Sequence, residues 1–243
     1  SNSVISGTNE IVFHNLEIKK NLETDTVSLN KFVIINDSLL LSSGDLMLND
    51  SLELKFVPQM SVSPFTVVSS PGGGLIGETN SNRVFGPSFI KVTEVAWNSI
   101  GNKSYDILKN VGLSLYVKDY LGINNPILYR YNVYQECGGV QGSIERTFEV
   151  KNLTSTVGFV DSVDIRYLDT MELGLLPNDD SISVYFSNDD RNKWKDIGGT
   201  YGPGTSTNSD APVNINNLTY ITGAKDSCDY IPFIQFNQIN NNV

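Results

Sequence analysis

The chain has very little alanine and almost no histidine. Of its 243 residues only Ala96, Ala211 and Ala224 are alanine, and His14 is the single histidine. Alanine is the strongest helix former, so its scarcity beside 27 Asn and 26 Ser, both turn formers, argues against a mostly helical protein. One histidine cannot build His-rich zinc ligation or an H-E-x-x-H helix. It could complete a Ser-His-Asp set only from within Ile11 to Leu16, where it reads as a solvated strand side chain, and no G-x-S-x-G elbow is present. Cysteine is nearly as scarce. Cys137 and Cys228 lie 91 positions apart, without the close pairs of zinc or redox motifs, and read as two buried thiols or one extracellular disulfide. No apolar run approaches the roughly 18 residues that a membrane-spanning helix requires. The amino end, Ser1-Asn2-Ser3-Val4, has neither an initiator Met nor an apolar leader, and so reads as a processed or excised chain. Basic residues are also few: 17 against 27 acidic, a net charge of −10, which opposes a nucleic-acid surface.

What is abundant is period-two alternation. Leu52 to Phe56, Leu113 to Val117, Tyr129 to Val133, Val163 to Tyr167 and Ile182 to Phe186 each alternate apolar with polar or less apolar residues. This is the pattern of a strand with one buried and one wet face. Weaker candidates cover 11–18, 26–35, 38–41, 65–69, 89–95, 144–150 and 230–236. Between them stand turn clusters such as Asn36-Asp37-Ser38, Asn49-Asp50-Ser51 and Pro177-Asn178-Asp179-Asp180. Short helices fit only 104–110 and 119–123. The polar stretch 198–217 reads as an extended loop, and 237–243 as an exit arm. No fixed repeat of 20 to 50 residues is visible, which speaks against a solenoid or propeller. The expected fold is all-β: an antiparallel β-sandwich, jelly-roll-like, with long loops and little helix. The favoured division is one elaborated domain over 1–243, with 1–150 and 151–243 as two smaller β-domains the alternative. From residue 152 onward 5 basic and 12 acidic residues give −7, so the second half is expected to present an acidic surface.

Few segments carry chemistry. Gly72-Gly73-Gly74-Leu75-Ile76-Gly77 satisfies G-x-G-x-x-G, but turn residues follow it instead of a helix, so it reads as a hairpin or loop and not as a dinucleotide site. Glu136, Glu145, Asp164 and Glu172 are candidates for a paired-carboxylate hydrolase, although solvated strand-face acids match the same pattern. Asn178-Asp179-Asp180 and Ser187-Asn188-Asp189-Asp190 offer oxygen ligands to calcium, yet neither has the spacing of a calcium loop. No cofactor or structural metal is expected. The most suggestive stretch is 188–201. It sets Trp194 and Tyr201 among Asp189, Asp190 and Asn192, the mixture of flat rings, acids and amides that suits a sugar or a protein partner. The bland alternative is that Trp194 folds back to cap a sheet edge.

These readings favour a non-enzymatic structural or attachment protein. The expected type is a viral capsid or spike component, or a surface β-sandwich, that self-assembles as a homo-oligomer and meets other virion or surface proteins. The corresponding localisation is extracellular, on a virion or a cell surface. The second reading is a carbohydrate-binding module or glycan-active enzyme using the Trp194 loop.

Overall fold

In the computed structural model every described element is a strand. The structure describes residues 2–55, 74–93, 99–100, 103–104, 111–118, 127–137, 140–153, 159–168, 170–176, 182–187, 194–196, 200–202, 205–208, 213–214 and 217–225. The first nine strands are β1 (Ser3–Ile5), β2 (Ile11–Lys19), β3 (Thr26–Leu29), β4 (Val33–Ser43), β5 (Asp45–Leu48), β6 (Leu52–Lys55), β7 (Gly74–Ile76), β8 (Val84–Phe85) and β9 (Phe89–Thr93).

They pair in parallel and, apart from β7, which follows β6 in the same sheet, alternate between two sheets. β1, β3, β5 and β8 form one sheet, with Ser3 beside Val27 and Val27 beside Leu46. β2, β4, β6 and β9 form the start of a second, with Ile11 beside Val33, Val33 beside Leu52 and Leu52 beside Ile90. The chain therefore winds in stacked coils, each returning over the one before. Parallel strands need such a crossover, and here the neighbouring sheet supplies it. β4 runs through two neighbours on one side, β6 along its first half and β7 along its second, where Ser38 faces Gly74. Strands covered on both faces lose strict alternation. Leu52, Glu53 and Leu54 on β6 are all buried.

From β9 the pairing changes sign. The remaining strands are β10 (Ser99–Ile100), β11 (Lys103–Ser104), β12 (Leu113–Lys118), β13 (Ile127–Tyr131), β14 (Glu136–Cys137), β15 (Val140–Gln141), β16 (Ser143–Leu153), β17 (Phe159–Arg166), β18 (Ile182–Ser187), β19 (Lys195–Asp196), β20 (Thr200–Gly202), β21 (Thr205–Asn208), β22 (Val213–Asn214) and β23 (Asn217–Lys225). β9 is parallel to β6 on one side and antiparallel to β13 on the other, and the sheet continues antiparallel through β16, β23, β18 and β19. A third sheet, β10-β11-β12-β17-β21-β20 with β22 on β17, is antiparallel, as is the β14–β15 hairpin. One continuous apolar cluster joins Leu29 and Leu48 of the first sheet, Leu54, Phe148 and Ile221 of the second, and Leu113 and Ile165 of the third.

Among the described residues the all-β expectation holds. Antiparallel pairing, expected throughout, begins only at β9; the nine strands up to it are parallel to one another wherever they pair. The absence of a visible repeat did not exclude stacked coils. Val27 follows Ser3 by 24 positions, Leu46 follows Val27 by 19, and Val84 follows Leu46 by 38. Coils of unequal length leave no fixed period, and alternation within a strand looks the same in either direction. Gly72 and Gly73 of the triple glycine lie outside the described residues; Gly74 opens β7, and Gly77 (φ +81) sits where a Cβ would meet the Leu41 carbonyl oxygen. Part of the polar stretch 198–217 forms β20, β21 and β22. The expected helices lie outside the described residues apart from Ser104, which ends β11. The runs 65–69 and 230–236, Cys228 and the arm 237–243 also lie outside them. His14 is exposed on β2, as its pattern predicts.

Candidate functional site

Two constellations of side chains stand out, one on each face of the second sheet. The inner face carries charge where alternation calls for an apolar residue. Leu128 and Arg130 share the inner face of β13, and Ile144, Arg146, Phe148 and Val150 the inner face of β16. Arg130 is 0 % exposed and Arg146 2 %. Tyr129 and Tyr131, which look apolar in sequence, take the outer face of β13.

Two carboxylates meet the guanidiniums. Glu78, in the loop after β7, accepts from Arg130 Nη1 at 2.8 Å and Nη2 at 2.6 Å, a bidentate pair. It also lies 3.4 Å from Arg146 Nη2, and accepts from the Val84 amide at 3.3 Å. Glu172, in the turn after β17, accepts from Arg146 Nη2 at 2.5 Å and Nε at 3.1 Å, and from the Leu168 amide at 2.9 Å. Arg146 Nη1 donates to the Arg166 carbonyl oxygen at 2.8 Å. Gly112 (φ +102) makes room for this guanidinium, since a Cβ there would strike Arg146 Nη1 and the Arg166 oxygen. The four groups sum to zero charge, which is what permits their burial.

Burial by itself would push the Glu78 carboxyl up, but Arg130 and Arg146 together hold it below the ordinary carboxylate range. Burial likewise works against the Arg130 charge, and Glu78, with help from Glu172, more than offsets it. Glu145 behaves oppositely: partial burial, then the nearby Glu172 charge, push its carboxyl up, and Arg83 only partly counters them. The chemistry of the quartet is positional. It ties a loop of the coil region to two strands and a turn of the antiparallel region.

The outer face of the same sheet carries three rings. Phe89 meets Tyr129 edge-on at 5.4 Å between centroids and Tyr131 at 5.7 Å, while Tyr129 and Tyr131 stack at 6.3 Å. Around them, Lys91 pairs with Glu53 at 3.1 Å, Lys151 pairs with Glu149 at 3.0 Å, and Tyr131 donates to Glu149 at 2.6 Å. The Lys151 ammonium also lies 4.7 Å above the Tyr129 ring. All three rings are half-buried, standing on adjacent strands in fixed register.

Of the site residues predicted in the stretch 188–201, only Trp194 is described with its side chain. Trp194 directly precedes β19 and is 3 % exposed, its indole N–H without an acceptor among the described residues. Trp194 is thus buried, whereas Phe89, Tyr129 and Tyr131 are half-buried. Tyr201 is a backbone position in β20, and Asp189, Asp190 and Asn192 lie outside the described residues, as do Asn178 to Asp180. Of the four candidate acids, Glu145 and Glu172 come together, the Glu145 amide donating to the Glu172 carbonyl oxygen at 2.8 Å. Glu136 and Asp164 are backbone positions on β14 and β17. Arg130, Arg146 and Glu78 went unnoticed in the sequence. The signal for Arg146 was present, because it shares the parity of Ile144, Phe148 and Val150. Among the described residues no cluster of three or more His, Cys, Asp or Glu is arranged to hold a metal, and no helix is long and apolar enough to cross a membrane. No family model, curated protein or solved structure matches this chain.

Proposed function

We propose that this is a non-enzymatic structural or attachment protein of the virion or cell-surface type, one that self-assembles. The observation that carries the reading is the way the parallel coils run without a break into the wide antiparallel sheet, clamped across the junction by the Glu78–Arg130–Arg146–Glu172 quartet. A continuous hydrogen-bonded sheet with a buried lock at its change of direction suits a part that bears load and presents a surface. In this reading the antiparallel sheets layer as a sandwich, a jelly-roll-like arrangement being confined to that region, and the protein works outside the cell or on a particle. Sedimentation velocity on the purified chain tests it. An oligomer that forms reversibly with concentration supports the assignment, and a strict monomer with no partner chain counts against it.

The outer ring face favours a second reading, a glycan-binding module. Flat rings flanked by paired acids and bases suit a sugar, whose C–H face stacks while its hydroxyls find polar partners. Glycan-array screening of the wild type and Tyr129→Ala tests this. Binding that is lost in the variant supports a sugar site, and binding that is absent or unchanged removes it.

A further inference from the structure

We infer that the outer ring face takes an acidic saccharide, one carrying a carboxylate or a sulfate, in preference to a neutral one; the inference rests on the glycan-binding reading and names its ligand class. Tyr129 stands at the centre of that face. Lys91 is its register partner on β9, and Glu149 its register partner on β16. Along β13 it has Tyr131 on one side, stacked at 6.3 Å with 18° between the ring planes. On the other side the Lys151 ammonium lies 4.7 Å over the ring, reaching from a position opposite Ile127. Tyr131 and Lys151 thus cover the two faces of the Tyr129 ring.

The charge that this face shows to solvent is positive. Its two ion pairs cancel in number but sit at different depths. The Glu53 and Glu149 side chains are 9 % and 5 % exposed, whereas those of Lys91 and Lys151 are 28 % and 42 % exposed. Each carboxylate is also engaged by a hydroxyl, Glu53 by Thr93 at 2.7 Å and Glu149 by Tyr131 at 2.6 Å. An ammonium has three N–H donors. Lys91 and Lys151 each meet one carboxylate among the described residues, so each keeps donors for an incoming anion. Lys55, half-buried beside Thr93, adds a third cation. In a chain of net charge −10 this is a local reversal of sign, and it draws anions.

A sugar that stacks on Tyr129 has to move Lys151 aside. The movement costs little, since an exposed cation–π contact and an exposed ion pair are both weak. The difference between ligands lies in what the ammonium meets afterwards. A neutral saccharide offers it only hydroxyls, so its contacts with the ring and with Glu149 are lost without an equal replacement. An acidic saccharide gives it a charge-assisted hydrogen bond while the sugar's C–H face takes the uncovered ring. The same displacement therefore favours one class of ligand and penalises the other. Lys91 sets a second cation on the β9 side of the ring.

The test uses the full chain on an array that holds each acidic saccharide beside its neutral counterpart: sialylated beside desialylated glycans, uronic acid chains beside their methyl esters, sulfated beside unsulfated chains. The wild type is expected to bind the acidic member of a pair at least about tenfold more tightly, with affinity falling as salt is raised. Lys151→Met, at an exposed side chain, is expected to keep the circular dichroism of the wild type and to bring the two members within about threefold of each other. Inorganic polyphosphate, which has charge but no C–H face, is expected not to displace the acidic saccharide at an equal concentration of charge. Displacement by it overturns the inference, because charge alone then accounts for binding. Acidic and neutral members that bind alike, or a preference that Lys151→Met leaves intact, overturn the ligand class while the glycan reading stands. A wild type that binds no saccharide overturns both.

Discussion

Replacing Glu78 with Gln removes one charge from the quartet and almost no volume. In the native protein this carboxylate receives both Nη atoms of Arg130, at 2.8 and 2.6 Å, and faces Arg146 at 3.4 Å. The amide keeps one acceptor oxygen and turns its NH2 toward guanidinium donors, so at least one strong bond is lost. Two fully buried cations then share Glu172 alone. Breaking a buried pair by deleting one partner costs about 3–5 kcal/mol, a large part of the roughly 5–15 kcal/mol that holds an ordinary domain folded. With a urea dependence of about 2 kcal/mol per molar, the unfolding midpoint is expected to fall by roughly 1.5–2.5 M. Because the folded-state carboxyl is held below its ordinary value of 4.5, its contribution is complete above that pH and disappears as pH falls through the lower folded-state value. The gap between wild type and variant should therefore be constant near neutrality and narrow below about pH 4.5. A midpoint loss equivalent to less than about 1 kcal/mol, the level of an exposed pair, would refute the reasoning by showing that water reaches the cluster.

Two further substitutions probe the same junction. Gly112→Ala adds a methyl group where φ is +102 and the Arg146 guanidinium and Arg166 carbonyl oxygen already occupy the space; strain and displacement together should cost about 2–4 kcal/mol in chemical denaturation, and a change under about 0.5 kcal/mol would mean that the guanidinium moves freely aside. Glu145→Gln should act in the opposite sense. Its carboxyl is pushed up in the folded protein, so ionisation destabilises the fold progressively as pH rises above the ordinary value of 4.5. The variant should match or slightly exceed wild-type stability at neutral pH, and a clear loss of stability there would show that the charge serves a partner.

Strand content was legible because the alternation of Leu52 and Leu54 with Glu53, or of Val163 and Ile165 with Asp164, is a local property of the backbone pleat. The direction in which strands pair is not local. β6 and β9 run parallel because the chain returns through another sheet between them, and nothing in Leu52 to Lys55 encodes that return. The same limit hid the buried quartet. Tyr129 and Tyr131 look like core and Arg130 like surface, and the assignment reverses only because Glu78 and Glu172, 52 and 42 positions from Arg130, arrive to neutralise it.

By itself, then, the sequence determined an all-β chain with an acidic balance, sparse helix formers and an outward His14. These follow from backbone propensity, side-chain period and charge count, each read within a few residues. Only the tertiary structure decided that the first strands stack as parallel coils, that two arginines lie inside and the tyrosines out, and that Glu78 and Glu172 meet those arginines there. Each of those depends on which distant segment supplies the hydrogen-bond partner or the opposite charge, and that energy exists only once the chain has folded.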